Sequence, residues 1–264
     1  MKYTLNTYYD ELAIKVVAKA NSSCKLRMVV YDADNKHRIF TNRYKQCTGE
    51  QEFFVRLPQS PRAVVIELFN MANGPRKKGE DPSFEFISAS KVPLEKKLDV
   101  GDIKNDTIKS FVKFAQQFSY NAQDLEDDRT YQSDDGRFFI NYLPTIVGKG
   151  GNELKTPARI SKQTGVIEVS KKSFLSFTVA MRMAILLHEF SHYFLNTKID
   201  DEMEADLNGL LIYLGLGYPR IEGQQAFLET FIGSPSEQNK QRYDVLNQFI
   251  KDFENLPSVL IQKK

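Results

Sequence analysis

"AMRMAILLHEFSHYFLNTKIDDEMEADLNGLLIYLGLG", residues 180–217, decides how the rest of the chain is read. It starts as an apolar helical run, breaks over "NTKID", and continues as a second helix. His188, Glu189 and His192 stand inside the apolar run, in a chain with only 3 histidines among 264 residues. Such groups are costly to bury without partners. His188-Glu189-Phe190-Ser191-His192 is an H-E-x-x-H pattern, and on a helix its two imidazoles lie one turn apart on one face. Both rings can then reach a single ion at Zn–N distances of about 2.0–2.1 Å. Glu189 sits about 100° around the helix from His188, where it meets a water on that ion rather than the ion itself. A shared cation satisfies all three groups.

A catalytic zinc takes three protein ligands and leaves a fourth position open. His37 lies far upstream, so the third ligand is expected to be a carboxylate. "DDEMEADLNG" offers Asp200, Asp201, Glu202, Glu204 and Asp206. Helical periodicity puts Glu202 and Asp206 on one face and sends Glu204 about 200° away from Glu202.

Glu202-Met203-Glu204-Ala205-Asp206 resembles the E-x-x-A-D pattern that gluzincin metallopeptidases carry downstream of H-E-x-x-H. The resemblance extends over about residues 157–220 and includes small zinc peptidases of phages and mobile elements. It implies that Glu202 is the third zinc ligand and that Asp206 braces an imidazole ligand from behind. Glu202 follows His192 by ten positions, a shorter spacing than usual for gluzincins. If the loop is too tight, Asp200 or Asp201 takes the ligand position. The implied activity is that of a zinc-dependent endopeptidase acting on a protein or peptide: water on the metal attacks an amide, with Glu189 as general base. Zincins bind an extended substrate along the strand ahead of the motif helix, a place held here by Gly165, Val166, Ile167, Glu168, Val169 and Ser170. Tyr218 and Arg220, just past the ligand helix, are the candidates for steadying the oxyanion. A different class fits the same residues: a non-catalytic structural or docking protein, such as a virion component, that keeps a zinc-binding zincin fold. The presence of Glu189, which folding does not need, favours hydrolysis.

The rest of the chain reads as two halves. From residue 5 to about 90, short β-branched or aromatic runs are separated by turn formers such as "NSS", "CTGE", "PQSP" and "NGPRKKGEDPS". Six or seven such strands predict an antiparallel β-sandwich over residues 1–98, expected to be a docking module for some partner. From Ile103 onward the period turns helical, which predicts an α+β domain over 99–264 with a small sheet and about five helices. Its strands are expected in "GRFFINYLP" and "TGVIEVSK", with "PARIS" between them. The acidic run "DLEDDRTYQSDDG" and the stretch "VGKGGNE" read as loops, and "IQKK" as a frayed end. A balance of 36 basic and 34 acidic residues gives no electrostatic case for nucleic acid or an anionic membrane. With no apolar run long enough to span a bilayer and no signal-like N-terminus, a cytoplasmic location is expected, or a virion if the gene is a phage's. The 2 cysteines, Cys24 and Cys47, are expected as reduced thiols, able to pair only if folding brings them together.

Overall fold

The structure, a computed structural model, describes residues 1–74, 82–233, 235–253 and 255. The middle of "NGPRKKGEDPS" and the whole of "IQKK" lie outside the described residues. The chain divides into two compact units, Met1–Glu95 and Lys96–Lys264, ahead of the boundary at residue 98 that the sequence suggests. The class is α+β.

In the first unit the alternation of apolar and polar residues does produce strands, but fewer and longer ones than expected. They are β1 (Lys2–Asn6), β2 (Leu12–Asp32), β3 (Ile39–Leu57), β4 (Ala63–Asn70) and β5 (Phe84–Val92). The turn signals "NSS" and "CTGE" fall inside β2 and β3, where they make an irregularity instead of a reversal. Ala20 pairs with Gly49 and Cys24 with Cys47, so three residues of β2 face a single residue of β3. Gly49, at φ +67°, supplies the left-handed backbone this bulge uses. The sheet order is β1-β4-β2-β3, and β5 adds to β2. Along the edge of β2 away from β3, β5 takes Ala13–Ala20 and β4 takes Leu26–Asp32.

Ile14, Val16, Ala18, Leu26, Met28 and Val30 form one face of β2 and are wholly buried. The described residues of this unit contain no helix to cover that face, so the two halves of the sheet cover each other. The rings of Tyr3 on β1 and Phe86 on β5 accordingly meet at 5.3 Å, although the two strands do not pair. The result is a sandwich whose layers share two long strands.

The second unit has a four-stranded sheet of β6 (Arg129–Gln132), β7 (Phe139–Leu143), β8 (Ala158–Ile160) and β9 (Ile167–Ser170), in the order β6-β7-β9-β8. The β7–β9 pair is parallel and the other two are antiparallel. β6 forms within the acidic run that reads as a loop, anchored by Tyr131, whose ring packs edge-on against Phe118 and Tyr142. β8 comes from "PARIS" and is too short for periodicity to mark it.

The helices are α1 (Asp106–Asn121), α2 (Lys171–Phe174), α3 (Val179–Phe194), α4 (Glu202–Gly215), α5 (Arg220–Gly233) and α6 (Glu237–Phe253). Asn105, Thr178 and Asp201 cap α1, α3 and α4 by accepting backbone N–H groups of the first turn. α3 runs through the centre of the unit and is buried on nearly every side from Val179 to Leu187. Phe190 continues this packing, stacked on Phe111 of α1 at 4.1 Å. Arg182, the one charged residue in that stretch, donates to the carbonyls of Phe174 and Ser119 and to Gln123 Oε1, at 3.0, 3.2 and 2.9 Å. Its guanidinium thereby fills the carbonyl end of α1, where a cation is favoured. Among the described residues no helix is long and apolar enough to cross a membrane.

Candidate metal centre

The last two turns of α3 carry His188 and His192 side by side, with their Nε2 atoms 3.2 Å apart. Only seven residues separate α3 from α4, whose first residue, Glu202, turns one carboxylate oxygen toward each ring. Oε2 lies 3.6 Å from His188 Nε2, and Oε1 lies 3.5 Å from His192 Nε2. Ligands at the corners of a tetrahedron, each about 2.0–2.1 Å from its centre, stand roughly 3.3–3.4 Å apart. The three side chains are therefore spaced as the corners of one zinc site.

The tautomers agree with that spacing. His192 Nδ1 lies 2.9 Å from the carbonyl oxygen of Ile199, which can only accept, so Nδ1 carries the proton and Nε2 a lone pair. His188 Nδ1 lies 2.9 Å from Asp206 Oδ1, close enough for an ion pair but poorly aligned as a hydrogen bond. A proton on that Nδ1, facing the carboxylate, would leave Nε2 as the acceptor. With both Nε2 atoms unprotonated, two lone pairs and a carboxylate would converge within 4.8 Å, a repulsion that a cation between them would relieve. The donor set of two neutral imidazoles and a carboxylate suits zinc.

The clustered side chains also shift one another's titration. His192 first, then His188 and Arg242, hold the Glu202 carboxyl down at about 2, so it is ionised. Burial opposes a charge on His188, but Asp206, with Glu189 and Glu202, outweighs it and raises that pKa. Withdrawal from water raises the pKa of Glu189, while the two imidazoles beside it pull the other way.

The short connection works because side chains pin it. Glu204 points away from the histidines and accepts from the backbone N and the hydroxyl of Thr197, both at 2.9 Å. Asn196 donates to the Asp201 carbonyl at 2.7 Å, and the Asp201 carboxylate caps α4 by accepting from Glu204 N. Asp200 is exposed and paired with Lys162. Asp200, Asp201 and Glu204, the alternatives to Glu202, all have other partners.

Two features of the site lay beyond sequence reading. Arg242, on α6, grips Asp206 with Nε at 2.7 Å and Nη2 at 3.0 Å, and reaches Glu202 Oε2 at 3.1 Å. It neutralises an aspartate that is wholly buried and fixes the carboxylates behind and beside the histidines. Nothing in the spacing of "SEQNKQRYDVL" marks this arginine. Arg242→Met is expected to strand Asp206 as a buried charge and cost about 3–5 kcal/mol of stability, measured by denaturant unfolding. A variant as stable as wild type would show the pair to be dispensable.

The second feature is Gly209. A Cβ there would come within 2.9 Å of His188 N and 3.1 Å of His188 Cα, so α4 crosses α3 with the backbones almost touching. Glu202 and Asp206 reach the histidines because of that approach. In Gly209→Ala the clash, about 1–3 kcal/mol, outweighs the roughly 1 kcal/mol gained in helix propensity. The expected outcome is a lower melting temperature together with weaker zinc binding, by calorimetry. Unchanged zinc affinity would mean that the crossing does not set the site.

A cavity of about 410 Å³ opens over these groups, bounded by β8, α3, α4, α5 and α6 and lined by Glu189, Phe177, Ile185 and Phe227 among others. The sequence placed the peptide-pairing strand at Gly165, Val166, Ile167, Glu168, Val169 and Ser170, and this is corrected. Ile167–Ser170 are β9, held by β7 on one edge and β8 on the other, while Gly165 and Val166 close the β8–β9 turn onto Ser161. No strand can add where both edges are taken. Of the two edge strands, β6 and β8, β8 is the one that lines the cavity. Ser161 N donates to Val166 O and Ser170 N to Pro157 O, so the odd-numbered residues face β9. The even-numbered ones turn their polar groups outward to α3: Ile160 N donates to Glu189 Oε2 at 2.8 Å.

The oxyanion candidates are also corrected. Tyr218 is buried, its ring stacked on Tyr213 at 5.0 Å, and neither it nor Arg220 lines the cavity. The turn after α4 carries both away from the histidines. Arg242 and Asn239 are polar donors that do line it. No family model matches the chain, and no curated protein or solved structure is similar to it at a significant level.

Proposed function

We propose that the protein is a zinc-dependent endopeptidase whose metal is held by His188, His192 and Glu202. The observation that carries this reading is the pair of imidazole Nε2 atoms facing each other at 3.2 Å with a carboxylate completing the triangle. Zinc in such a site supplies a Lewis acid, which polarises a carbonyl and lowers the pKa of a water toward about 7.

The chain's own groups supply the rest. Glu189 projects into the cavity from the same turn as His188, so its carboxylate takes a proton from the attacking water and delivers it to the leaving amine. Asp206 and Arg242 keep the ligands oriented. An extended peptide adds along the outward edge of β8 at Ala158 and the Ile160 carbonyl, beside the Ile160 N–H that Glu189 holds, which sets its scissile carbonyl against α3. Phe177, Ile185 and Phe227 offer an apolar wall to one of its side chains.

The test is incubation of the zinc-loaded protein with a broad peptide library, read by mass spectrometry. Internal cleavage that stops on chelation and resumes with zinc supports the reading. A fully zinc-loaded protein that cuts nothing leaves a non-catalytic docking protein as the better account.

A further inference from the structure

The first unit holds a pair of groups for which the zinc reading has no use. Cys24 and Cys47 are the chain's 2 cysteines, and the register of β2 and β3 puts them directly opposite each other. Both face inward. Cys24 continues the buried series of even-numbered residues on β2, between Ala20 and Leu26, while on β3 Cys47 is buried between exposed Gln46 and Thr48. Residues directly opposite in an antiparallel pair have Cα atoms about 4.5–5.5 Å apart. A disulfide accepts about 4.4–6.8 Å, so the backbone need not move for one to form. Both residues are present as thiols.

We propose that Cys24 and Cys47 are a redox modification site, which a small-molecule disulfide converts reversibly into an intramolecular bond that staples β2 to β3 beside their bulge.

The surroundings give the order of events. Cys24 is 6% exposed and Cys47 1%. The three residues before Cys24, Asn21–Ser23, are exposed and form the unmatched side of the bulge. Local opening therefore uncovers Cys24 first. Burial also pushes the Cys47 thiol up, which makes it the poorer initial nucleophile. The Cys24 thiolate attacks one sulfur of the small disulfide and releases the other half as a thiol. The Cys47 thiolate then attacks Cys24 Sγ, the bond between the two cysteines forms, and the second half leaves. The pair loses two electrons and two protons, and the small disulfide becomes two thiols. Cys24 Sγ lies 3.9 Å from the Ser83 carbonyl, and Cys47 Sγ 3.3 Å from that of Lys45.

The experiment uses the full chain, reduced and then incubated with oxidised glutathione. After acid quenching the protein is unfolded, treated with N-ethylmaleimide and weighed intact. The expected product is about 2 Da lighter than the reduced chain, monomeric, and free of maleimide, and dithiothreitol restores two maleimide additions. Cys24→Ser and Cys47→Ser should not give this product. Hydrogen exchange around residues 18–26 and 45–51 should slow on oxidation. Two maleimides after oxidation, a stable glutathione adduct or a linked dimer in the wild type would overturn the site, and unchanged exchange would overturn the staple. Zinc binding has no part in either readout.

Discussion

Purified with zinc present, the protein is expected to carry about one zinc per chain, and His192→Ala or Glu202→Ala to lose it. His192 is held by the Ile199 carbonyl and Glu202 by Arg242, so each contributes a donor already aimed at the centre of the triangle. Losing one of three ligands should weaken zinc by more than the roughly 10–100-fold that loss of an outer partner costs. Glu204→Ala is the control, because that side chain pins the Thr197 turn and faces away from the rings. It should loosen the loop and leave one zinc bound. Metal analysis reads the stoichiometry, and thermal unfolding reads the linkage: zinc at about 100 times its Kd should add roughly 2.7 kcal/mol to wild type and little to the ligand variants. A wild type that resists zinc loading would end the metal reading. If Glu204→Ala emptied the site while Glu202→Ala kept it, the ligand set would be wrong.

Glu189→Gln is expected to keep the zinc and the fold and to lose at least a hundredfold in peptide cleavage. Glutamine retains an oxygen that can accept from Ile160 N as Glu189 Oε2 does at 2.8 Å, so the contact between α3 and β8 survives. What it lacks is the capacity to take a proton, and a positioned general base contributes about 10² to 10⁴ in rate. Zinc content and melting temperature should match wild type, which separates a lost base from a damaged site. Equal cleavage by the two forms would sink the assignment of Glu189, and cleavage by neither, with zinc bound, would favour a docking role.

What the sequence determined by itself are the features set by local periodicity. Four residues in a helix make just over one turn, so H-E-x-x-H necessarily puts two imidazoles on one face of α3, and Glu202 and Asp206 likewise share a face of α4. The same reasoning sends Glu204 elsewhere, where it ties down Thr197. Alternation marks the buried face of β2, and the shift to a helical period beyond Ile103 marks the second unit.

Only the tertiary structure decided the contacts between residues far apart in the chain, which no period encodes. Arg242 meets Asp206 across 36 positions. β8, three residues long, carries no readable pattern, yet it fills the edge of β9 that the sequence reading gave to a peptide. "NSS" and "CTGE" are turn signals by composition, but β4 and β5 share the edge of β2, and that pairing carries the strand through the bulge. The β2–β3 register on the other edge sets Cys24 against Cys47. Gly209 looks like a weak point in a helix until α3 lies against it, with no room for a Cβ between Gly209 and His188 N. Local spacing chose which side chains share a face, and long-range packing chose which faces meet.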